Sequence, residues 1–380
     1  MHMVNRGFWI DSIERDWQKK NVIWLTGVRR SGKTFLTRNL PAVEYFDCEL
    51  PSVRNYLADP EAFLKKMRGK RVVIDEIHRL GNPSELLKLA ADHFPEAKVV
   101  ATGSSSLSAS SKFKDTLTGR KTQVWLTPML LRDLADFGRE DLPHRLLHGG
   151  LPPHFLSPAF PEREIQDWMD DYWAKDIQEL FRVERRSSFL RFVELVMARS
   201  GGIFEATAFA APCEVSRNTI ANYLSVLEAT FVAHVVRPFS GRSPAEIISA
   251  PKVYAFDTGF VCCFKGIPDL RPDDKGPLWE HLVLNEICGR TQSRKVNYWR
   301  DKRGHEVDFV IPKTSGRMLA VECKWSQNEF SSKNLKVFLK RHASAECLAV
   351  CADSGEPITR DCGGIPVTFL GLREFSERLG

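Results

Sequence analysis

The run GVRRSGKT, from Gly27 to Thr34, fits the spacing GxxxxGKS/T without a mismatch. Glycines at its ends let the backbone curl so that successive N–H groups face a phosphate chain, and a helix starting at its end adds a positive dipole. Lys33 would reach the β- and γ-phosphates of ATP, and the Thr34 hydroxyl would ligate Mg²⁺. Gly27, Arg29, Arg30, Ser31, Gly32, Lys33 and Thr34 are therefore the candidate nucleotide contacts. A second run, RVVIDEIHRL, puts Asp75 and Glu76 at the end of an apolar strand. Asp75 is expected to hold Mg²⁺ indirectly or through water, and Glu76 to polarise the attacking water as general base. In KVVATGSSSL, Ser104 or Ser105 would read the γ-phosphate, with a hydroxyl-rich loop or helix cap as the equal alternative. Arg120 is the candidate arginine finger, with Arg29 and Arg30 as alternatives for charge stabilisation. The chain has no NKxD-type guanine motif, which favours ATP over GTP.

Another set of residues fits a PD-(D/E)xK pattern. Asp308 lies in HEVDFVI, where Val307, Phe309 and Ile311 alternate away from it. Glu322 and Lys324, two apart in VECKW, share one sheet face. Glu286 follows Leu282 and Val283 at helical spacing, and a carboxylate on the apolar side of a helix needs a partner. Converging carboxylates can bind Mg²⁺, which lowers the pKa of a bound water. Asp308 and Glu322 would then be metal ligands, Glu286 a further ligand or base positioner, and Lys324 the stabiliser of developing charge. The alternative is a relic, with Lys324 in an internal salt bridge to a carboxylate.

The elements that must position these residues follow from apolar runs and helical stretches. Strands are expected at 22–27, 43–47, 71–75, 98–103 and 122–126, alternating with helices. That pattern predicts a parallel α/β sheet. GGLPPHFLSP (149–158) reads as a connector. Long helices follow over 164–200, then a short bundle over 204–231 and strands near 232–237 and 252–256. FEATAFAAPCEVSRNTIANYLSVLEAT reads as helix, turn, helix. Ser216 is the N-cap of its second helix, with Ile220, Tyr223, Leu224 and Leu227 on one face and Arg217, Asn218 and Asn222 on the other. That face suits either DNA or ordinary domain packing. From about 278 the pattern is α/β again: a helix over 278–290, a hairpin, the strand MLAVECKW and a helix over 331–341.

At 380 residues, two or three domains are expected. The expected division is 1–150, 151–256 and 257–380 in an α/β multidomain chain. A formal net charge of +6 permits nucleic-acid contact without demanding it. Nine cysteines without a CxxC pair suit free thiols in a reducing, cytoplasmic setting. No stretch of eighteen apolar residues suggests a membrane helix.

The chain resembles the prokaryotic AAA-like ATPases with a conserved uncharacterised C-terminal region. The likeness is carried by GVRRSGKT, VVIDEIHRL, ATGSSSL, Gly119-Arg120, LTPMLLRDL, GGLPPHFL, KVYAFDTGF, GPLWEHLVLNEI, YWRDKRGHEVDFVI and VECKWS. The resemblance implies a P-loop ATPase domain, a winged-helix middle and a restriction-endonuclease-like end. One departure is His281 in GPLWEH, where the resemblance leads one to expect an amide such as Asn. The expected activity is ATP hydrolysis that controls the other two parts. An ATP-gated, Mg²⁺-dependent DNA nuclease and a signalling or scaffold ATPase without nucleic acid are the alternatives. The expected ligands and partners are ATP with Mg²⁺, double-stranded DNA, and a second copy of the chain or another protein, without a membrane.

Overall fold

The computed structural model describes residues 5–103, 117–178, 181, 183, 185–239, 250–313 and 317–379. The first five strands are β1 (Val22–Thr26), β2 (Val43–Asp47), β3 (Arg71–Asp75), β4 (Lys98–Thr102) and β5 (Thr122–Trp125). They form one parallel sheet in the order β2-β3-β4-β1-β5. Alternate residues feed two cores. Val22 and Trp24 join Ile74 and Ala101 on one face, while Ile23 and Leu25 join Val73 and Val100 on the other. A strand covered on both faces has no solvent side, which explains its unbroken apolar run. β1 lies between β4 and β5, so the chain crosses over on both sides of it. In open α/β sheets such a reversal leaves a crevice beyond the strand ends.

Behind the loop that follows β1 lies a buried ion pair. Arg6 donates through Nη2 to Asp133 Oδ2 at 2.6 Å and through Nη1 to the Ser31 carbonyl at 2.9 Å. The same Asp133 oxygen accepts from Trp9 Nε1 at 3.2 Å and from the Leu130 amide at 2.9 Å. One carboxylate thus ties the N-terminal helix Gly7–Trp17 to the helix Leu131–Asp136 and to the loop.

The stretch at 149–158 is no exposed linker. His154 and Phe155 are fully buried. The Gly150 amide donates to Asp257 Oδ2 at 2.6 Å, and a Cβ at Gly149 or Gly150 would collide with Asp257 or the Arg145 guanidinium. The Gly/Pro density reflects close packing here, where only backbone fits.

The middle region runs through helix Glu162–Tyr172, a π-helical turn Trp173–Ile177, helix Arg186–Ala198, β6 (Gly202–Ile203), helices Ala206–Ala210 and Arg217–Ala229, β7 (Ala233–Pro238) and β8 (Lys252–Ala255). Ser216 caps its helix by accepting from the Thr219 amide at 3.1 Å. Ile220, Tyr223, Leu224 and Leu227 are buried, while Arg217, Asn218 and Asn222 are exposed. The last region adds the twenty-residue helix Pro272–Thr291, β9 (Asn297–Arg300), β10 (Glu306–Pro312), β11 (Met318–Lys324), helix Lys333–Leu339, β12 (Glu346–Cys351), β13 (Ile358–Asp361), β14 (Pro366–Leu370) and helix Leu372–Arg378. One nine-stranded sheet, β13-β14-β12-β11-β10-β9-β7-β8-β6, crosses the expected boundary at 256/257. The join is the parallel pairing of Arg237 with Asn297 and of Pro238 with Tyr298. No helix among the described residues is long and apolar enough to cross a membrane.

Arg6→Met should leave Asp133 buried without its cation. Stability should fall by about 3–5 kcal/mol, read as a lower urea midpoint, and Arg6→Met with Asp133→Leu should recover most of the loss. A single variant of wild-type stability would show that the pair is not what holds the loop.

Candidate functional site

The loop Gly27–Gly32 joins the end of β1 to the helix Lys33–Arg38. Gly27 must be glycine because a Cβ there would collide with the Leu126 carbonyl. Gly32 adopts φ 95°, which costs an L residue but not glycine. Lys33 Nζ donates to the carbonyls of Gly27 and Val28, both at 3.0 Å. Burial pushes the Lys33 ammonium below its ordinary pKa, opposed by the nearby charges of Glu76 and Asp176. Ser31 is buried and Thr34 half-buried in the first helical turn.

Asp75 and Glu76 end the neighbouring strand but one. Asp75 is buried, and its two oxygens accept from Tyr45 Oη and Thr102 Oγ1. Thr102 in turn accepts the Glu76 amide at 3.1 Å. Glu76 itself sits in the left-handed region at φ 50°, ψ 45°. A non-glycine residue held there is strained, and such strain clusters at functional sites. Its Oε2 lies 3.1 Å from His78 Nδ1. Burial would raise the Glu76 pKa, but His78, Lys33 and Arg29 outweigh it, and the net shift is down. Glu76 therefore stays ionised at neutral pH.

Tyr45, His78 and Thr102 complete this arrangement and were not among the expected site residues. Strand register carried the signal for Thr102: Ile74 pairs with Ala101, so Asp75 and Thr102 are the next neighbours. Ser104, the expected phosphate reader, and Ser105 lie outside the described residues. Arg120 is placed away from its own P-loop. It precedes β5, whose Thr122 pairs with Ile23 near the start of β1, and it binds Asp92 at 2.8 Å. The P-loop leaves the opposite end of that strand, roughly 15 Å on. Arg120 thus lies toward the far end of β1 from the P-loop of its own chain.

Arg29 and Arg30 reach into the middle region. Arg29 Nε donates to Asp176 Oδ2 at 3.0 Å, and Arg30 Nη2 to Asp171 Oδ2 at 3.0 Å.

At the other expected site, three of the four residues meet. β10 and β11 run antiparallel with Phe309 opposite Val321, which sets Asp308 beside Glu322 on one face. Lys324 Nζ lies 2.8 Å from Glu322 Oε2 and 3.4 Å from Asp308 Oδ2. Asp308 Oδ2 also accepts the Cys323 amide at 2.8 Å. Glu286 is a correction. Its Oε1 accepts from Ser376 Oγ at 2.7 Å and its Oε2 from the Leu131 amide at 3.1 Å, in a different part of the molecule. The helix is buried almost all round from Leu278 to Gly289, so apolar spacing cannot tell which face a carboxylate takes. The acid beside the cluster is Glu280, six residues earlier and thus rotated by about 240° along the helix. Glu280 Oε1 accepts from Tyr254 Oη and lies 3.4 Å from Lys252 Nζ, which also pairs with Glu306. Burial and the Asp308 charge push Glu280 up to about 7 and Glu322 up to about 8. Among the described residues, no group of three or more His, Cys, Asp or Glu is arranged to hold a metal ion. Lys324 Nζ lies between the two carboxyl groups.

His281, the departure noted above, is buried in a short relay. Its Nδ1 bonds the Pro277 carbonyl at 2.7 Å, which makes Nδ1 the donor and leaves Nε2 to accept from Ser200 Oγ at 2.5 Å. Ser200 Oγ itself accepts the Ala255 amide at 2.6 Å.

The parallel sheet and the loop after its first strand form the first region, and a family model described as an AAA domain matches residues 19–135. Two models of domains of unknown function, DUF8612 and DUF4143, match residues 139–271 and 275–370. The chain is similar to uncharacterized proteins of Mycobacterium tuberculosis and Mycobacterium bovis, each 26% identical over 337 residues that cover 85% of this chain and 75% of theirs. Among solved structures, a Walker-type ATPase of Pyrococcus abyssi is 17% identical, with a TM-score of 0.42 over 69% of this chain and 96% of that one. The RuvB Holliday junction branch migration motor of Thermotoga maritima is 18% identical, with a TM-score of 0.31 over 62% of this chain and 90% of its own.

The raised Glu322 pKa gives a pH test. A carboxyl whose folded pKa is raised favours the folded state fully below its ordinary value of 4.5, and that contribution is lost as pH rises through about 8. Glu322→Gln, always neutral, should match wild type near pH 5 and melt higher than wild type near pH 9. A variant that melts lower at pH 9 than wild type would show that the ionised Glu322–Lys324 pair stabilises the fold instead.

Proposed function

We propose that this chain binds ATP with Mg²⁺ at Gly27–Thr34, hydrolyses it, and transmits its nucleotide state to the middle and last regions. The observation that carries the reading is that Lys33, after β1, and the strained Glu76, after β3, follow the same ends of two parallel strands. The donors there suit Mg²⁺, a hard cation that prefers oxygen: the Thr34 hydroxyl directly and the Asp75 carboxylate behind it. Mg²⁺ would neutralise charge between the β- and γ-phosphates. Lys33 would exchange its bonds to the Gly27 and Val28 carbonyls for phosphate oxygens. Tyr45 and Thr102 hold Asp75 in one orientation. His78 and the Thr102 bond to the Glu76 amide fix the general base, which accepts the proton of the attacking water.

The middle region is the candidate for contact with double-stranded DNA. In its favour are the order of helices and strands, which suits a winged helix, and the exposed Arg217, Asn218 and Asn222 at the start of one helix. The Asp308–Glu322–Lys324 cluster reads best as an internal ion pair in an endonuclease-like sheet. Lys324 pairs with both acids, which disfavours metal-dependent cleavage. Mg²⁺ without nucleotide should then leave the melting temperature of a Lys33→Ala chain unchanged. A shift that Asp308→Ala abolishes would revive the nuclease alternative.

Lys33→Ala should abolish hydrolysis and weaken ATP binding. Glu76→Gln should bind ATP as wild type while hydrolysis falls about 10²–10⁴-fold, the usual contribution of a positioned base. Unchanged turnover in Glu76→Gln would remove Glu76 from the mechanism.

A further inference from the structure

The loop Gly27–Gly32 is pinned from outside at alternate carbonyls. Trp168 Nε1 donates to the Arg29 carbonyl at 3.0 Å, and Arg6 Nη1 donates to the Ser31 carbonyl at 2.9 Å. In a planar trans peptide the carbonyl of one residue and the N–H of the next point to opposite sides. Each pinned carbonyl therefore fixes an amide, that of Arg30 in the first case and that of Gly32 in the second. Arg30 lies between the two at φ 62°, in the left-handed region. An L side chain disfavours that conformation, which persists only where the surroundings impose it. Left-handed residues within a turn aim successive amides into one concavity, and such a concavity suits an anion.

The contacts that impose it on Arg30 come from one helix of the middle region, Glu162–Tyr172. Arg30 Nη1 donates to the Glu164 carbonyl at 3.2 Å, and Nη2 donates to Asp171 Oδ2 at 3.0 Å. Glu164, Trp168 and Asp171 stand four and three positions apart, along one face of that helix. They differ in weight. The Arg30 and Asp171 side chains are 29% and 31% exposed, and a pair so open to water contributes little. Trp168 is fully buried. Its ring stacks on Tyr172 at 5.1 Å and on Phe256 at 5.2 Å, and meets Phe260 edge-on at 4.9 Å. A ring packed against three others does not swing away, so its N–H is a fixed donor. Phe256 follows β8 and Phe260 lies in the helix Thr258–Lys265, so the donor is mounted outside the parallel sheet that carries the loop.

We propose that Trp168 is a positioning residue of the nucleotide site: its indole N–H holds the Arg29–Arg30 peptide so that the Arg30 amide faces the phosphate chain. This role rests on the reading of Gly27–Thr34 as a triphosphate site. The phosphate cradle is then completed by a side chain 139 positions from the carbonyl it holds. Without that bond, Arg30 is free to relax from the left-handed region. The peptide can then turn its carbonyl inward, where it repels a phosphate oxygen. The coupling is reciprocal: whatever withdraws the indole from the loop weakens phosphate binding, and bound phosphate holds the helix Glu162–Tyr172 against the loop by the same factor.

Two comparisons test this on the full chain, both by calorimetry with a slowly hydrolysed ATP analogue and Mg²⁺. The first sets wild type against Trp168→Phe and Lys33→Ala. Phenylalanine keeps a packed ring and removes the N–H. Trp168→Phe should bind roughly 10-fold weaker, the scale of one hydrogen bond to a buried carbonyl. A merely structural role would lower the fraction of chains that bind and leave the affinity of the folded ones unchanged. The second sets Arg30→Gly against Arg30→Ala. Both lack the guanidinium, and they differ in what φ 62° costs them, so the glycine variant should bind roughly 5-fold tighter than the alanine variant. This comparison stands even if Trp168→Phe does not fold. Wild-type affinity in a folded Trp168→Phe, or Arg30→Ala binding as tightly as Arg30→Gly, overturns the inference, while loss of binding in Lys33→Ala leaves the ATP site intact. Wild type that takes up no analogue removes the ATP site and this inference together.

Discussion

The end of β1 has room for backbone only. A side chain at Gly27 would strike the Leu126 carbonyl, and one at Gly103, at the end of β4, would press on the Trp24 ring at 2.8 Å. The strand on which the loop is mounted is therefore enclosed by its neighbours on both edges and covered on both faces. The Arg6–Asp133 pair closes the remaining side by holding the Ser31 carbonyl. A loop so confined presents its amides in one direction. Preorganisation of this kind is what phosphate recognition by backbone requires, because ordering the loop at the moment of binding would cost affinity.

The three regions are not beads on a string. Gln292, just past the end of the long helix of the last region, accepts from the Trp125 amide at 2.6 Å and donates to its carbonyl at 3.1 Å, like one more strand residue on β5. Glu286 and Asn285 of that helix bond the backbone at Leu131 and Pro128. Arg145, fully buried, donates to the Met129 carbonyl and to Thr258 Oγ1. Glu286 and Asn285 are buried and bond backbone of another region, so separating the regions would strand polar groups. The end of β5 and the stretch that follows it thus have direct neighbours in both other regions.

Much of the first region was legible because its signals are local. The five strands were placed within two residues of their observed ends. Asp75 and Glu76 close a strand next to the one that bears Thr102, and strand ends fix their side chains. The errors came where position depends on rotation or on distant packing. Glu286 and Glu280 lie on one helix that is buried almost all round, and no period in the sequence distinguishes them; Tyr254 and Lys252, from β8, select Glu280 for the cluster. Arg120 follows a glycine in a turn, and its sheet end is set by the direction of β5, not by its own neighbours. The run at 149–158 reads as a connector, but its burial is not legible, because glycine and proline serve both exposed turns and tight joints. The grip of Asp171 and Asp176 on the P-loop arginines joins residues more than a hundred positions apart, and charge spacing carries no trace of it.

The central claim is that the loop Gly27–Thr34 is a preformed ATP site whose key cation is Lys33. Calorimetric titration of the intact wild-type chain with Mg²⁺ and a slowly hydrolysed ATP analogue tests it most directly. A preformed triphosphate site should take up one nucleotide per chain, displaced by ADP and not by a nucleoside lacking phosphate. No heat of binding at millimolar nucleotide, or equal displacement by the bare nucleoside, would contradict it.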